Sequence, residues 1–120
     1  MAKQNDSLES QLSRENEITI TVTGRKSRHM ISLPVWFVWD DGTLNLLPVK
    51  GSDTQWYKNI LKNPTLRIDS RGTEGKFKAI PITDATQVKS VVDKFRDKYG
   101  VGDVKKYYSK FDVAVLVKVP

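Results

Sequence analysis

The sequence predicts a mainly β protein: a closed or nearly closed barrel of about six antiparallel strands, with a short middle helix and a longer helix before the last strand. Three observations lead there. Apolar β-branched residues alternate with polar ones in short runs, as in Ile18, Ile20 and Val22 against Thr19 and Thr21. Trp36 to Trp39 are apolar on both faces, which suits a barrel strand or one packed on a partner subunit. The strands follow one another without the helical crossovers of a parallel sheet, and no internal repeat is present. Closure of the barrel also removes exposed strand edges.

Residues 1–16 are polar, and Leu8 and Leu12 leave a flexible tail or a short helix as equal alternatives. The barrel domain is expected over 17–120. Glu17 to Val22 starts its first strand, which Thr23-Gly24 ends. Met30 to Trp39 reads as one second strand, Asp41-Gly42 as a hairpin turn, and Thr43 to Val49 as the returning strand. Pro34 and Pro48 each lack a ladder donor and call for an edge or a bulge. Ser52 and Asp53 offer N-caps to a helix through Trp56, Tyr57, Ile60 and Leu61, which Asn63-Pro64 ends. Thr65 to Ser70 and Lys76 to Ile82 read as a strand pair across Arg71-Gly72. Asp84 and Gln87 form a capping-box pattern ahead of Val88, Val91, Val92, Phe95 and Tyr99, a helical stripe that Gly100 closes. A helical turn over Asp103 to Lys110 precedes the last strand, Asp112 to Val119, whose valines share one face.

Composition narrows the chemistry. A chain of 120 residues holds one domain and has little material left to enclose a large ligand alone. A second subunit, in a homodimer, would supply the other wall of such a site. With no cysteine the chain offers no disulfide and no thiolate nucleophile, and a single histidine, His29, leaves almost no material for a multi-histidine metal site or a Ser-His-Asp triad. No metal site is expected. The N-terminus is polar and no run of about 18 apolar residues exists, so a soluble, cytoplasmic protein without membrane attachment is expected. A formal net charge of +6 favours anionic partners, whether nucleic acid, an anionic membrane or a phosphorylated small molecule.

Two segments could carry function. Gly24-Arg25-Lys26-Ser27-Arg28 sets three cations and a hydroxyl in one turn, a grouping able to hold an anion by charge-assisted hydrogen bonds, or simply a solvated turn. Leu47-Pro48-Val49-Lys50-Gly51-Ser52 then runs straight into the helix that carries Trp56, Tyr57 and Asn59, so free helix amides face the loop. Together, Thr23-Gly24-Arg25-Lys26-Ser27, Pro34, Lys50-Gly51-Ser52 and Trp56-Tyr57-x-Asn59 with Asn63-Pro64 resemble the deazaflavin-dependent nitroreductase and quinone reductase family. That family belongs to the FMN-binding split β-barrel superfamily. The likeness covers residues 18–70 and, more loosely, Tyr99 to Val119.

The resemblance implies a homodimeric split β-barrel that binds coenzyme F-420 or FMN near the subunit interface. It implies that Lys26 and Ser27 hold the cofactor phosphate, with Arg25 or Arg28 helping. Pro34 and the Val49-Lys50-Gly51 backbone would lie along the ring system, and Trp56 and Asn59 against the phosphate-bearing tail. Tyr107 and Tyr108 would line the substrate pocket. The implied activity is hydride transfer to a small unsaturated, nitro or quinone-like acceptor, with no catalytic residue needed because the cofactor carries the chemistry. A cofactor carrier without turnover is the alternative. A small nucleic-acid-binding barrel is disfavoured, because Trp36, Trp39 and Trp56 fall where burial is expected and not among cations on one face.

Overall fold

The computed structural model describes residues 8–119; residues 1–7 of the expected tail lie outside the described residues. Strand β1 (Ile18–Thr23) turns Ile18, Ile20 and Val22 into the core, as its alternation requires. It pairs antiparallel with β2 (Met30–Val35), Ile18 opposite Val35 and Thr23 opposite Met30. Pro34 fits there because β2 has a ladder on one side only.

The expected single strand over Met30–Trp39 is corrected: it breaks at Trp36, and β3 (Phe37–Asp40) begins beyond. The cause is local. The Phe37 N–H donates to the Tyr99 hydroxyl, and the Phe37 carbonyl accepts from Lys98 and lies within reach of that hydroxyl. The interruption is at Trp36, and Phe37, held by these bonds, starts a new pairing opposite Leu46.

Asp41 and Gly42, at φ 47° and 81°, turn β3 into β4 (Thr43–Leu46), the hairpin geometry that Asp-Gly favours. Arg71 and Gly72, at φ 53° and 88°, do the same between β5 (Thr65–Ser70) and β6 (Thr73–Ile82). With β7 (Ala114–Lys118) the strands form one antiparallel sheet in the order β2-β1-β5-β6-β7-β4-β3. Among the described residues the count is seven against the six expected, and the extra strand comes from the break at Trp36.

Two stretches bend the sheet into a half-barrel. Within β6, Thr73–Lys78 pair with β5 while Ala79–Ile82 pair with β7. The two edge strands, β2 and β3, are consecutive in the chain, so the open sides of the sheet meet at Trp36. Strands that pass from one half of a sheet to the other make the corners of such barrels.

Each face of this sheet has its own core. Ile20, Phe37, Leu44, Ile68 and Val115 fill the interior, with Leu8 and Leu12 from α1 (Leu8–Leu12) and Trp56 and Ile60 from α2 (Gln55–Lys62). Outside, α3 (Ala85–Tyr99) presses Val88, Val91, Val92 and Phe95 onto Leu47 and Ala114, with Val104 and Tyr108 from α4 (Val101–Tyr107) and the residue after it. The Asp84 carboxylate accepts the Gln87 N–H at 3.0 Å, and Gly100, at φ 94°, ends α3.

The caps expected of α2 are also corrected. Ser52 and Asp53 lie in a 3₁₀ turn, Gly51–Asp53, and Thr54 occupies the N-cap position without a side-chain cap bond. Ser52 is taken by Asp112, which accepts from both its N–H and its hydroxyl, and Asp53 pairs with Lys110 at 3.1 Å. Trp36 and Trp39, expected to be buried, are half-buried. Among the described residues no helix is long and apolar enough to cross a membrane.

Candidate cofactor site

A cavity of about 470 Å³ opens between the bend at Trp36, the connection from β4 to α2, and the end of α4. One wall is Leu33, Pro34 and Val35 of β2 with Trp36; the opposite side is Leu47, Val49 and Lys50; Trp56, Tyr107 and Tyr108 complete it. The size and the apolar, aromatic lining are those of a small-molecule site. Glu17, Asp53, Thr54 and Gln55 supply the polar rim.

Trp36 is held by its neighbours. It stacks on Tyr99 with centroids 4.3 Å apart at 11°, and meets the edge of Tyr107 at 5.5 Å. Beneath it the Tyr99 hydroxyl accepts the Phe37 N–H at 3.1 Å, with the carbonyls of Phe37 and Asn16 each 2.8 Å away for its one proton. Burial pushes the Tyr99 pKa up to about 12, against the Phe37 backbone bond and with the Glu17 charge. Burial, then Tyr99, also raises that of Tyr108. Both phenols are therefore neutral, and the wall they back is uncharged at neutral pH.

The floor is tied internally. The Lys50 N–H donates to the Thr54 hydroxyl at 2.7 Å, the Gly51 N–H to the Pro48 carbonyl at 3.0 Å, and the Ser109 N–H to the Val49 carbonyl at 2.9 Å. Gly51 has φ 55°, and a Cβ there would collide with the Asp112 carboxylate. Burial works to raise the Asp112 pKa, but the Ser52 hydroxyl and amide and the Lys110 ammonium outweigh it and hold it below the usual range.

The basic turn stands beside this cavity, not in its wall. Arg25 is half-buried, and it donates to Asn59 Oδ1 through Nη1 at 2.8 Å and through its backbone N–H at 3.1 Å, and to Gln55 Oε1 through Nη2 at 2.8 Å. Lys26, Ser27 and Arg28 are exposed. Ser27 Oγ accepts the His29 N–H at 3.1 Å, which leaves its own proton to donate. Among the described residues, Arg25, Lys26, Arg28 and Lys50 have no acidic partner within ion-pair distance.

Of the residues singled out in the sequence, Pro34, Val49, Lys50, Trp56, Tyr107 and Tyr108 meet at the cavity. Arg25, Lys26, Ser27, Gly51 and Asn59 do not line it; Asn59 is buried and its oxygen is committed to Arg25. Trp36, Thr54 and Gln55 line it without having been singled out. No local sequence signal marked Trp36; its stacking on Tyr99 reveals it.

A family model described as "uncharacterized protein conserved in bacteria (DUF2255)" matches residues 9–115. The chain belongs to this family. No curated protein matches it in sequence. Among solved structures, an F420-H2 dependent reductase (FDR-A) superposes with a TM-score of 0.67 at 18% identity, covering 87% of this chain and 95% of that one. A protein described as a domain-swapped dimer gives 0.68 at 18% identity, over 87% and 81%. A putative pyridoxamine 5′-phosphate oxidase from Listeria innocua gives 0.69 at 14% identity, over 98% and 93%. The family member described here thus has the split β-barrel fold that its sequence resemblance implied.

Proposed function

We propose that this chain is an oxidoreductase that binds coenzyme F-420 or FMN in the cavity and passes hydride to a small unsaturated, nitro or quinone-like acceptor. The observation that carries the reading is the juxtaposition of an aromatic-walled cavity with a basic turn whose cations lack acidic partners among the described residues. A flat apolar ring needs the first and a phosphate the second. The residues present fit such a group: apolar side chains at Pro34, Val49 and Trp56, and donors only at Lys26 and Arg28. When bound, the cofactor supplies the hydride chemistry.

In this reading Lys26 and Ser27 hold the phosphate, and Pro34, Val49 and Lys50 face the ring. The Gly51 backbone supports that floor. Trp56 packs beside the tail, with Asn59 acting through Arg25. Tyr107 and Tyr108 flank the acceptor and keep water from it. A cytoplasmic homodimer covers the open side, since β2 leaves Met30 and Ile31 exposed on an unpaired edge. The F420-H2 dependent reductase and the domain-swapped dimer of like fold support both parts of this proposal.

The test is a fluorescence and absorbance titration of purified protein with FMN and, separately, F-420, followed by turnover with a nitroaromatic or quinone acceptor. Saturable binding of one cofactor with reoxidation by the acceptor is expected. Binding of neither ends the proposal, and binding without turnover leaves a carrier.

A further inference from the structure

We infer that Gln55 reads the cofactor phosphate and that Arg25 is the positioning residue that aims it; the inference rests on the proposed cofactor. Arg25 was expected to help hold the phosphate itself, but both of its terminal nitrogens already donate within the protein, to Asn59 and to Gln55, each at 2.8 Å, which fixes the guanidinium against α2. A guanidinium only donates. It therefore fixes the Gln55 side-chain oxygen toward itself and leaves the NH₂ on the other side. That NH₂ has no protein partner among the described residues, and Gln55 belongs to the cavity rim. Asn59, 4% exposed, locks Arg25 from beneath with two bonds to one oxygen.

The position suits a phosphate better than a ring. Gln55 is the first residue of α2 and the link between the cavity and the basic turn, so it stands where the ring-bearing and phosphate-bearing parts of one ligand would join. Among the described residues no carboxylate pairs with Arg25, so its positive charge stands one bond behind the donating amide. A phosphate oxygen accepts there from a donor backed by a cation. A ribityl hydroxyl is the other acceptor a flavin could offer, and the experiment separates the two.

Gln55→Glu keeps the oxygen that Arg25 grips, and strengthens that bond, while abolishing the donor. Gln55→Met removes the donor without adding a charge. FMN and riboflavin are titrated into both variants and the wild type; if F-420 is the preferred cofactor, F-420 and its phosphate-free deazaflavin nucleoside take their places. The phosphorylated ligand should bind about ten- to a hundredfold more weakly to Gln55→Glu and about tenfold more weakly to Gln55→Met. Phosphate-free ligand should change by less than about threefold, and the melting temperature of ligand-free Gln55→Glu should not fall. A Gln55 that makes no bond to the ligand predicts unchanged affinity in Gln55→Met, where no charge repels the phosphate, and that outcome overturns the inference while the cofactor proposal stands. Equal losses for both ligands place the donor on the polyol and overturn the phosphate assignment. A wild type that binds neither cofactor removes the cofactor proposal and this inference together.

Discussion

Lys26 sits exposed on a turn held in place by its neighbours: the Gly24 N–H donates to the His29 carbonyl at 2.8 Å, and Arg25 is bonded to α2. Its ammonium contributes little to folding, so Lys26→Ala should leave the ligand-free melting temperature unchanged. If Lys26 grips the phosphate, the same change removes a charge-assisted bond of about 1.5–3 kcal/mol and weakens FMN or F-420 binding about ten- to a hundredfold. Equal affinity in the two proteins would make this turn a solvated loop. Trp56 is different in kind, since it lines the cavity and packs in the interior core at 5% exposure. Trp56→Leu should lose both about 2–4 kcal/mol of stability and the cofactor-dependent part of the tryptophan quenching. Quenching of the same size in folded Trp56→Leu would take Trp56 out of the site. At this scale the cavity lining was legible in part: Lys50 and Trp56 stand out by residue type and spacing, whereas Pro34 and the two tyrosines came from the family resemblance. Gln55 was not. Its meaning comes from Arg25, thirty residues away, and no local pattern encodes that contact.

Elements whose edges depend on local chemistry read correctly, and those set by distant contacts did not. Asp41-Gly42 and Arg71-Gly72 made hairpin turns because the backbone there must reach positive φ. Asp84 and Gln87 capped α3 as their spacing implied. The break between β2 and β3 was invisible, because it is imposed from α3: Tyr99 and Lys98 hold the backbone of Phe37 across about sixty residues of chain. The caps of α2 failed for the same reason, with Asp112 competing for Ser52. Tyr99→Phe tests the imposed bend. It keeps the ring that stacks on Trp36 but leaves the Phe37 N–H without its acceptor, at about 1–3 kcal/mol. Urea midpoints should fall by that amount, and cofactor binding should weaken as the Trp36 wall loosens. A midpoint equal to wild type would mean that the strand break does not need the hydroxyl.

For the whole molecule, the alternation of strands predicted a barrel, but its two cores and its shared strand β6 follow from three-dimensional pairing that no single segment contains. The same scale sets the response to pH. Lys98 has no carboxylate within ion-pair distance among the described residues; it donates to the carbonyls of Phe37 and Glu15 at 2.8 and 3.1 Å, and burial lowers its pKa from 10.5 to about 8. Below pH 8 both folded and unfolded chains carry that charge, and its partial burial weakens the fold in full. Between about 8 and 10.5 the unfolded chain binds more protons, so stability rises with pH. Tyr99 works in the opposite sense at higher pH. Its pKa is raised from 10.0 to about 12, so above pH 10 the unfolded chain releases a proton that the folded chain retains, and stability falls. Tyr57 and Tyr108, both raised chiefly by burial, add to that fall. The urea midpoint of the wild type should therefore climb from pH 8, crest near pH 10 and then drop. Lys98→Met should flatten the climb and leave the drop, whereas Tyr99→Phe should soften the drop and leave the climb. A wild-type profile that is level from pH 8 to 10, or an unaltered climb in Lys98→Met, would show that the Lys98 ammonium is as well solvated in the folded protein as in the unfolded chain.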